Sequence, residues 1–218
     1  MKRFLGRLLG GVLAVLIVYG VQAIFTNVVM PGKIDDLAGT YVTQDYMDAE
    51  SVEELLTDYE FYTEEIALID LNTLYAPYYV EFDTDKNYTF YYDADGFRAN
   101  VEAFLRQAFE SMYAGREGLS EVYGEDFSVM SLAEFQNYYA TLYSAESFDS
   151  LMTTLADSAY DYDYVAQDEE VGTYTIEDDK ILCTIAGHTN AEAMGYKLSG
   201  DTLTLTFTNM VQTYTRVK

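Results

Sequence analysis

The stretch Tyr174–Ile185, YTIEDDKILCTI, decides the fold, because the chain repeats its pattern 22 residues later as Tyr196–Phe207, YKLSGDTLTLTF. In both copies, apolar residues occupy alternate positions on either side of a short polar connection, EDDK or SGDT. This alternation is typical of an antiparallel strand pair with one buried face. Gly200, in the second connection, can adopt the positive φ that a tight hairpin turn requires. The repeat therefore predicts two similar β-hairpins.

Further strands are predicted on both sides of this repeat. Val80–Tyr92, VEFDTDKNYTFYY, has the same alternation around a turn one residue longer. Ala38–Val42, AGTYV, is typical of an opening strand, and Asn209–Lys218, NMVQTYTRVK, of a closing one. The total is about eight strands, and eight antiparallel strands can close into a small barrel without exposed edges.

The chain between the early and late hairpins has a helical period instead. Three segments between residues 97 and 160 carry apolar residues at helical spacing, and Ser131 and Glu134 have the spacing of a capping box. A short helix is also predicted around Ala49–Thr57. The fold class is therefore α+β: an antiparallel barrel of about eight strands with a helical insertion at about 97–160, in one domain spanning residues 31–218.

The strand-bearing segments resemble bacterial lipocalin-like domain proteins, which are small exported β-barrel domains that are often tethered to the membrane. The resemblance is carried by LAGTYV at Leu37–Val42, GTYTIEDDKI at Gly172–Ile181 and the terminal YKLSGDTLTLTF with TYTRVK. It implies binding of a small apolar molecule, and it assigns no functional residue. The helical insertion departs from the family's compact pattern.

The first 30 residues differ in composition from the rest and predict a membrane segment. They contain no acidic residue, and Lys2, Arg3 and Arg7 precede the 18-residue apolar run Leu8–Phe25. As a helix, this run would be about 27 Å long, close to the thickness of the hydrocarbon core of a bilayer. The basic residues predict a single-pass anchor with the C-terminal domain outside the cytoplasm. The alternative is a signal peptide cleaved after Val21–Ala23, which would release a secreted domain.

The remaining 188 residues are strongly acidic, with nine basic and 37 acidic side chains and a net charge of −28. Such a surface repels nucleic acids and anionic lipid headgroups, so neither is a predicted partner. The one cysteine, Cys183, excludes an internal disulfide framework. Its strand position predicts an inward-facing, inert thiol.

Four tyrosines are the candidate ligand-binding residues because they share the apolar face of their strands: Tyr88, Tyr92, Tyr174 and Tyr196. Their rings could line a cavity and their hydroxyls could bond a ligand. The alternative is that they fill the interior, since an eight-stranded barrel is only just wide enough for its own side chains.

No catalytic residue, metal site or cofactor is predicted. His188, the only histidine, lies in a loop and lacks the partner motif of a catalytic triad. The DTDKN turn, Asp83–Asn87, has the opening spacing of a calcium loop but places Tyr88 and Ala94 where the motif needs glycine and glutamate. Turn and capping bonds are the alternative role for these carboxylates.

The sequence thus favours an extracytoplasmic, membrane-tethered binding module rather than an enzyme. Its expected partner is a small apolar ligand or a protein of the cell envelope. One alternative is a structural or assembly protein with a filled barrel. The other is a hydrolase that uses a pair of carboxylates, although no pair is singled out by the sequence.

Overall fold

The computed structural model describes residues 34–218, so the predicted anchor or signal peptide at residues 1–30 lies outside the described residues. Within residues 34–218, no helix combines the length and apolar character needed to cross a membrane. The described chain divides into two compact units. The barrel unit contains the described residues up to Gln44, together with Pro77–Asp93 and Asp163–Lys218, and the helical unit contains Asp45–Ala76 and Ala94–Tyr162.

Eight strands form a closed barrel in which each strand neighbours the next in sequence. The strands are β1 (Gly39–Tyr46), β2 (Tyr75–Phe82), β3 (Asn87–Tyr92), β4 (Glu169–Glu177), β5 (Lys180–Ile185), β6 (Glu192–Ser199), β7 (Thr202–Thr206) and β8 (Val211–Arg216). The last strand pairs antiparallel with the first, with Tyr41 opposite Arg216. The predicted closed antiparallel barrel of eight strands is thereby confirmed, and it is compatible with a lipocalin-like fold.

The two repeated hairpins have the same register, as the sequence repeat predicts. Tyr174 lies opposite Cys183 in the first, and Tyr196 lies opposite Leu205 in the second. Each hairpin has a two-residue loop, because the outer residues of EDDK and SGDT pair with each other. The first loop residue has a positive φ in both copies, 61° at Gly200 and 54° at Asp178. Aspartate is among the few non-glycine residues that tolerate this conformation.

A belt of apolar side chains from all eight strands, joined by Leu37, fills the barrel. The sequence alternation directs these residues inward, as expected for a sheet with one buried face. The buried core comprises Leu37, Tyr41, Val80, Phe82, Tyr88, Phe90, Tyr174, Ile181, Cys183, Met194, Tyr196, Leu203, Leu205 and Tyr214. Aromatic rings meet edge to face within it, with 5.0 Å between the ring centroids of Phe82 and Tyr174.

A short helix, α1 (Ile34–Leu37), precedes the barrel. Arg216 donates to the carbonyl oxygen of Asp36 at 2.8 Å and also to the hydroxyl of Tyr41. Its guanidinium lies 5.0 Å from the centroid of the Tyr41 ring, within cation–π range. These contacts hold the start of the described chain against the last strand.

The helical unit contains the predicted helices. Its helices are α2 (Ala49–Asp58), α3 (Thr63–Ile66), α4 (Ala94–Ala114), α5 (Ser120–Tyr123), α6 (Leu132–Leu142) and α7 (Phe148–Ala159), and α8 (Tyr162–Ala166) follows. The predicted capping box is present at α6, where the Glu134 carboxylate accepts from the Ser131 backbone N–H at 2.8 Å. The predicted apolar stripe of α4 is buried from Phe97 to Met112. The unit also includes Asp45–Ala76, beyond the insertion predicted at about 97–160.

Candidate functional site

The four candidate tyrosines all point into the barrel. Tyr88 and Tyr174 are each 1% exposed and Tyr196 is 8% exposed, whereas Tyr92, near the end of β3, is half-buried. The Tyr174 hydroxyl donates to the carbonyl oxygen of Asp83 at 2.8 Å. Buried tyrosine hydroxyls usually have a partner in the protein, and this contact gives Tyr174 a packing role. A role for the four tyrosines in ligand binding stays a prediction.

The burial of the inward side chains shows how the barrel interior is used. The 14 core residues have exposed fractions between 0% and 8%. Side chains that lined an internal space large enough for a drug-sized ligand, about 300–1,000 Å³, would retain surface accessible to a water-sized sphere. The core formed by these residues is therefore filled by their own side chains, and the partly buried Tyr78, Ile176, Leu198 and Phe207 pack against it.

One end of the barrel carries carboxylates at inward positions. Glu170 and Glu192 lie opposite Phe90 and Cys183, respectively, and so share their face of the sheet. The Tyr88 hydroxyl donates to Glu170 Oε1 at 2.9 Å. Burial raises the pKa of Glu170, and the nearby Glu192 carboxylate adds to this shift. This end of the barrel can therefore accept hydrogen bonds or a positive charge.

The same surroundings make the single thiol inert. Cys183 is 2% exposed, and burial, together with Glu170 and Glu192, raises the pKa of its thiol to about 12. Thiolate chemistry requires the deprotonated form, which is rare at neutral pH for such a group. The predicted inward orientation is confirmed.

A shallow depression of about 510 Å³ lies on the outer face of the barrel across β3, β4 and β5. Its lining includes Thr89, Val171, Thr184 and the exposed His188. At Gly172, in the same lining, an added Cβ would lie 2.2 Å from the carbonyl oxygen of Thr184. The strands β4 and β5 thus approach closely at Gly172, and the sequence did not indicate the depression.

The carboxylate that opens the DTDKN turn is used within the turn. Asp83 accepts hydrogen bonds from the backbone N–H and the side-chain amide of Asn87, both at 2.7 Å. These bonds lower the pKa of Asp83. Among residues 34–218, no three His, Cys, Asp or Glu side chains gather in a way that could hold a metal ion.

The helical unit contains a buried carboxylate that sequence reasoning missed. Glu65, on α3, is 1% exposed. Its Oε1 accepts from the Tyr123 hydroxyl at 2.6 Å and from the Tyr139 hydroxyl, and its Oε2 accepts from the backbone N–H of Tyr62 at 2.7 Å. Burial, reinforced by Glu65, raises the pKa of both tyrosine hydroxyls, which keeps them as donors. This hydrogen-bonded cluster links three helical segments.

An exposed aromatic surface lies beside this cluster. Tyr62 packs edge to face on Tyr123, whose ring also contacts Tyr138 at a centroid distance of 5.8 Å. Tyr138 and Leu142 line a depression of about 360 Å³ on one face of α6. Tyr62 and Leu142 are each 52% exposed. The Glu65 cluster therefore supports this partly apolar surface through the ring of Tyr123, which contacts both Tyr62 and Tyr138.

The helical unit contains many more acidic than basic side chains. It contains 22 acidic residues and three arginines, with neither lysine nor histidine, for a net charge of −19. Arg98 pairs with Asp157, and Arg106 pairs with two carboxylates. Arg116 donates to the carbonyl oxygens of Tyr113 and Phe127 and stacks on the Tyr113 ring. All three arginines are thus engaged within the unit.

No protein-family model, curated protein or solved structure matches the chain. The lipocalin-like resemblance accordingly rests on the strand pattern together with the closed barrel.

Proposed function

We propose that this chain is an extracytoplasmic, membrane-tethered module that binds a partner protein and uses its barrel as a scaffold. The basic residues and apolar run at the N-terminus support the tether and its orientation. The strongly acidic domain supports a partner other than nucleic acid or an anionic lipid surface. The contact surface is external in this proposal, and the barrel interior serves stability.

The packed barrel interior is the observation that carries this proposal. A lipocalin-like barrel that encloses a small apolar ligand needs an internal space, whereas the core tyrosines and phenylalanines here contact each other. The ring centroids of Tyr88 and Phe90 are 5.5 Å apart, and those of Phe82 and Tyr174 are 5.0 Å apart. Opening a cavity would break such contacts, and removing one buried aromatic side chain costs about 3–5 kcal/mol.

Crosslinking in cells of the native host tests partner binding. A zero-length carbodiimide joins carboxylates to amines, which suits a chain with so many acidic residues. We expect discrete adducts between this chain and a second protein, with the crosslinked carboxylates identified by peptide mass spectrometry. The barrel unit, which contains all the lysines of the described chain, provides an internal reference for self-crosslinks.

Native mass spectrometry of the uncrosslinked protein tests the alternative ligand. We expect the mass of the polypeptide alone after mild purification from the host. A retained, stoichiometric small molecule combined with an absence of protein adducts would overturn the proposal in favour of ligand binding. N-terminal sequencing tests the tether: a mature chain that starts at Ile24 would mean that the segment is cleaved.

A further inference from the structure

The surface around Tyr62 and Tyr138 combines the half-exposed ring of Tyr62 and the partly buried ring of Tyr138 with nearby carboxylates. We define the tyrosine face by Tyr62, Tyr138 and Leu142. The exposed Glu60 precedes Tyr62 by two residues, and Glu125 acts electrostatically on Tyr138. Tyr138 is the central residue, because its ring and the ring of Tyr62 both pack on Tyr123. Leu142 lies one helical turn from Tyr138 and shares its depression. The face thus lies within a single unit of the structure.

The tyrosine face has the composition of a binding hot spot. Tyrosine is enriched at the centres of protein interfaces because it supplies apolar area and a hydrogen-bonding tip with few rotatable bonds. The Glu65 cluster fixes the backbone of Tyr62 and the ring of Tyr123, against which Tyr62 and Tyr138 pack. A rigid support of this kind lowers the entropy cost of binding.

Charge decides which partner fits the face. Glu60 and Glu125 are exposed, and the three arginines of the helical unit are engaged elsewhere within it. With a net charge of −19, the unit attracts a cationic segment and repels an acidic one. Lysine and arginine side chains can also stack on exposed tyrosine rings.

We infer that the tyrosine face docks a basic, amphipathic segment of the partner protein, with apolar side chains on Tyr138 and Leu142 and cationic side chains beside Glu60 and Glu125. This inference rests on the proposed function of partner binding and names its surface and the chemistry of the partner. An amphipathic helix suits the face, since its apolar stripe can lie in the α6 depression while its flanks carry positive charge.

The test uses a synthetic amphipathic peptide of about 18 residues built from lysine, leucine and alanine, with one tryptophan on the apolar side. Because the protein contains no tryptophan, the emission reports the peptide alone. A peptide of the same length with glutamate in place of lysine is the charge control. We expect the tryptophan emission of the basic peptide to shift to the blue on binding, and its affinity to fall as the salt concentration is raised. The acidic peptide should not bind.

Three variants of the tyrosine face and its border, with two controls in the barrel unit, locate the binding site. Tyr62→Ser and Leu142→Ser should each weaken binding at least about tenfold, because both side chains are anchors of the proposed contact. Both are half exposed, so the fold should be retained, as circular dichroism will verify. Val211→Ser, at an exposed apolar residue of the barrel unit, is the control for the loss of an apolar side chain. For charge, binding by Glu125→Gln is compared with binding by Glu177→Gln, its control in the barrel unit.

Equal affinity of wild type, Tyr62→Ser and Leu142→Ser for the basic peptide would overturn the inference, since general charge attraction would then explain binding. Crosslinks of a genuine partner at carboxylates of the barrel unit, with none at Glu60 or Glu125, would overturn it while leaving the proposed function intact. A failure to crosslink any protein would instead contradict the proposed function.

Discussion

Tyr139→Phe is the sharpest test of the buried cluster, because it removes one hydroxyl and retains the ring. Tyr139 is 1% exposed, and its ring centroid lies 5.0 Å from that of Phe109 and 4.9 Å from that of Phe135. Phenylalanine can preserve these contacts. The variant loses the hydrogen bond from the hydroxyl to the Glu65 carboxylate and the contact of that hydroxyl with the Tyr123 hydroxyl.

The expected cost follows from the loss of a hydrogen bond to a charged group. Such a bond contributes about 1.5–3 kcal/mol, and the free energy of unfolding should fall by this amount. Glu65 keeps its bonds from Tyr123 and from the backbone of Tyr62, which limits the loss. Glu65→Gln should cost about 3 kcal/mol, because a single amide oxygen replaces two carboxylate oxygens facing three donors.

Denaturant unfolding, followed by far-ultraviolet circular dichroism, measures the change, and amide hydrogen exchange shows whether the helical unit is the part affected. Tyr62→Phe is the matched control in the same cluster, because its ring is half exposed and the change should stay within about 0.5 kcal/mol. The Tyr139→Phe and Glu65→Gln effects should be non-additive by about 1–2 kcal/mol. A Tyr139→Phe change no larger than that of the control would refute the assigned role of the cluster.

Three further predictions concern the barrel unit. Burial and neighbouring carboxylates raise the pKa of Glu170, so its stabilising contribution is present at low pH and is lost as pH rises through the folded pKa. Glu170→Gln should therefore raise the denaturation midpoint at about pH 8 and have little effect near pH 4; an equal shift at both values would contradict this. Burial raises the pKa of the Cys183 thiol to about 12, so this thiol should react with an aromatic disulfide only as fast as the barrel opens. Rapid labelling without denaturant would contradict its burial. Gly172→Ala should destabilise the barrel by about 1–3 kcal/mol, since the new Cβ would lie 2.2 Å from the carbonyl oxygen of Thr184. The control is Gly118→Ala, whose new Cβ meets no atom within 4 Å. Equal denaturation midpoints of the two variants would refute the clash.

Much of the barrel could be predicted from sequence because its signals are local. Alternation of apolar residues around Tyr174 and Tyr196 indicates which side of each strand is buried, and this holds whatever the neighbouring strand is. The 22-residue repeat predicts equal registers, and Gly200 predicts the turn. The capping box at Ser131 is likewise encoded within four residues.

Other parts depended on residues far apart in the chain. The candidate tyrosines could be assigned to the inward face, but whether the interior was open depended on how eight strands pack together. The tyrosine face was also missed. Its residues come from separate segments, and Tyr62 and Tyr138 have no shared spacing in the sequence that would indicate a contact.

The sequence by itself determined the strand pattern, the inward faces, the main helices and the excess of negative charge, because each follows from the order or number of residues. The tertiary structure decided which elements meet, as where Tyr41 lies opposite Arg216 to close the barrel. It also decided that Glu65 is buried while its neighbour Glu64 is exposed, although both lie in the same short helix. Only packing brings the hydroxyls of Tyr123 and Tyr139 to one of these carboxylates, since hydrogen bonds and burial depend on distances in space that local sequence does not specify.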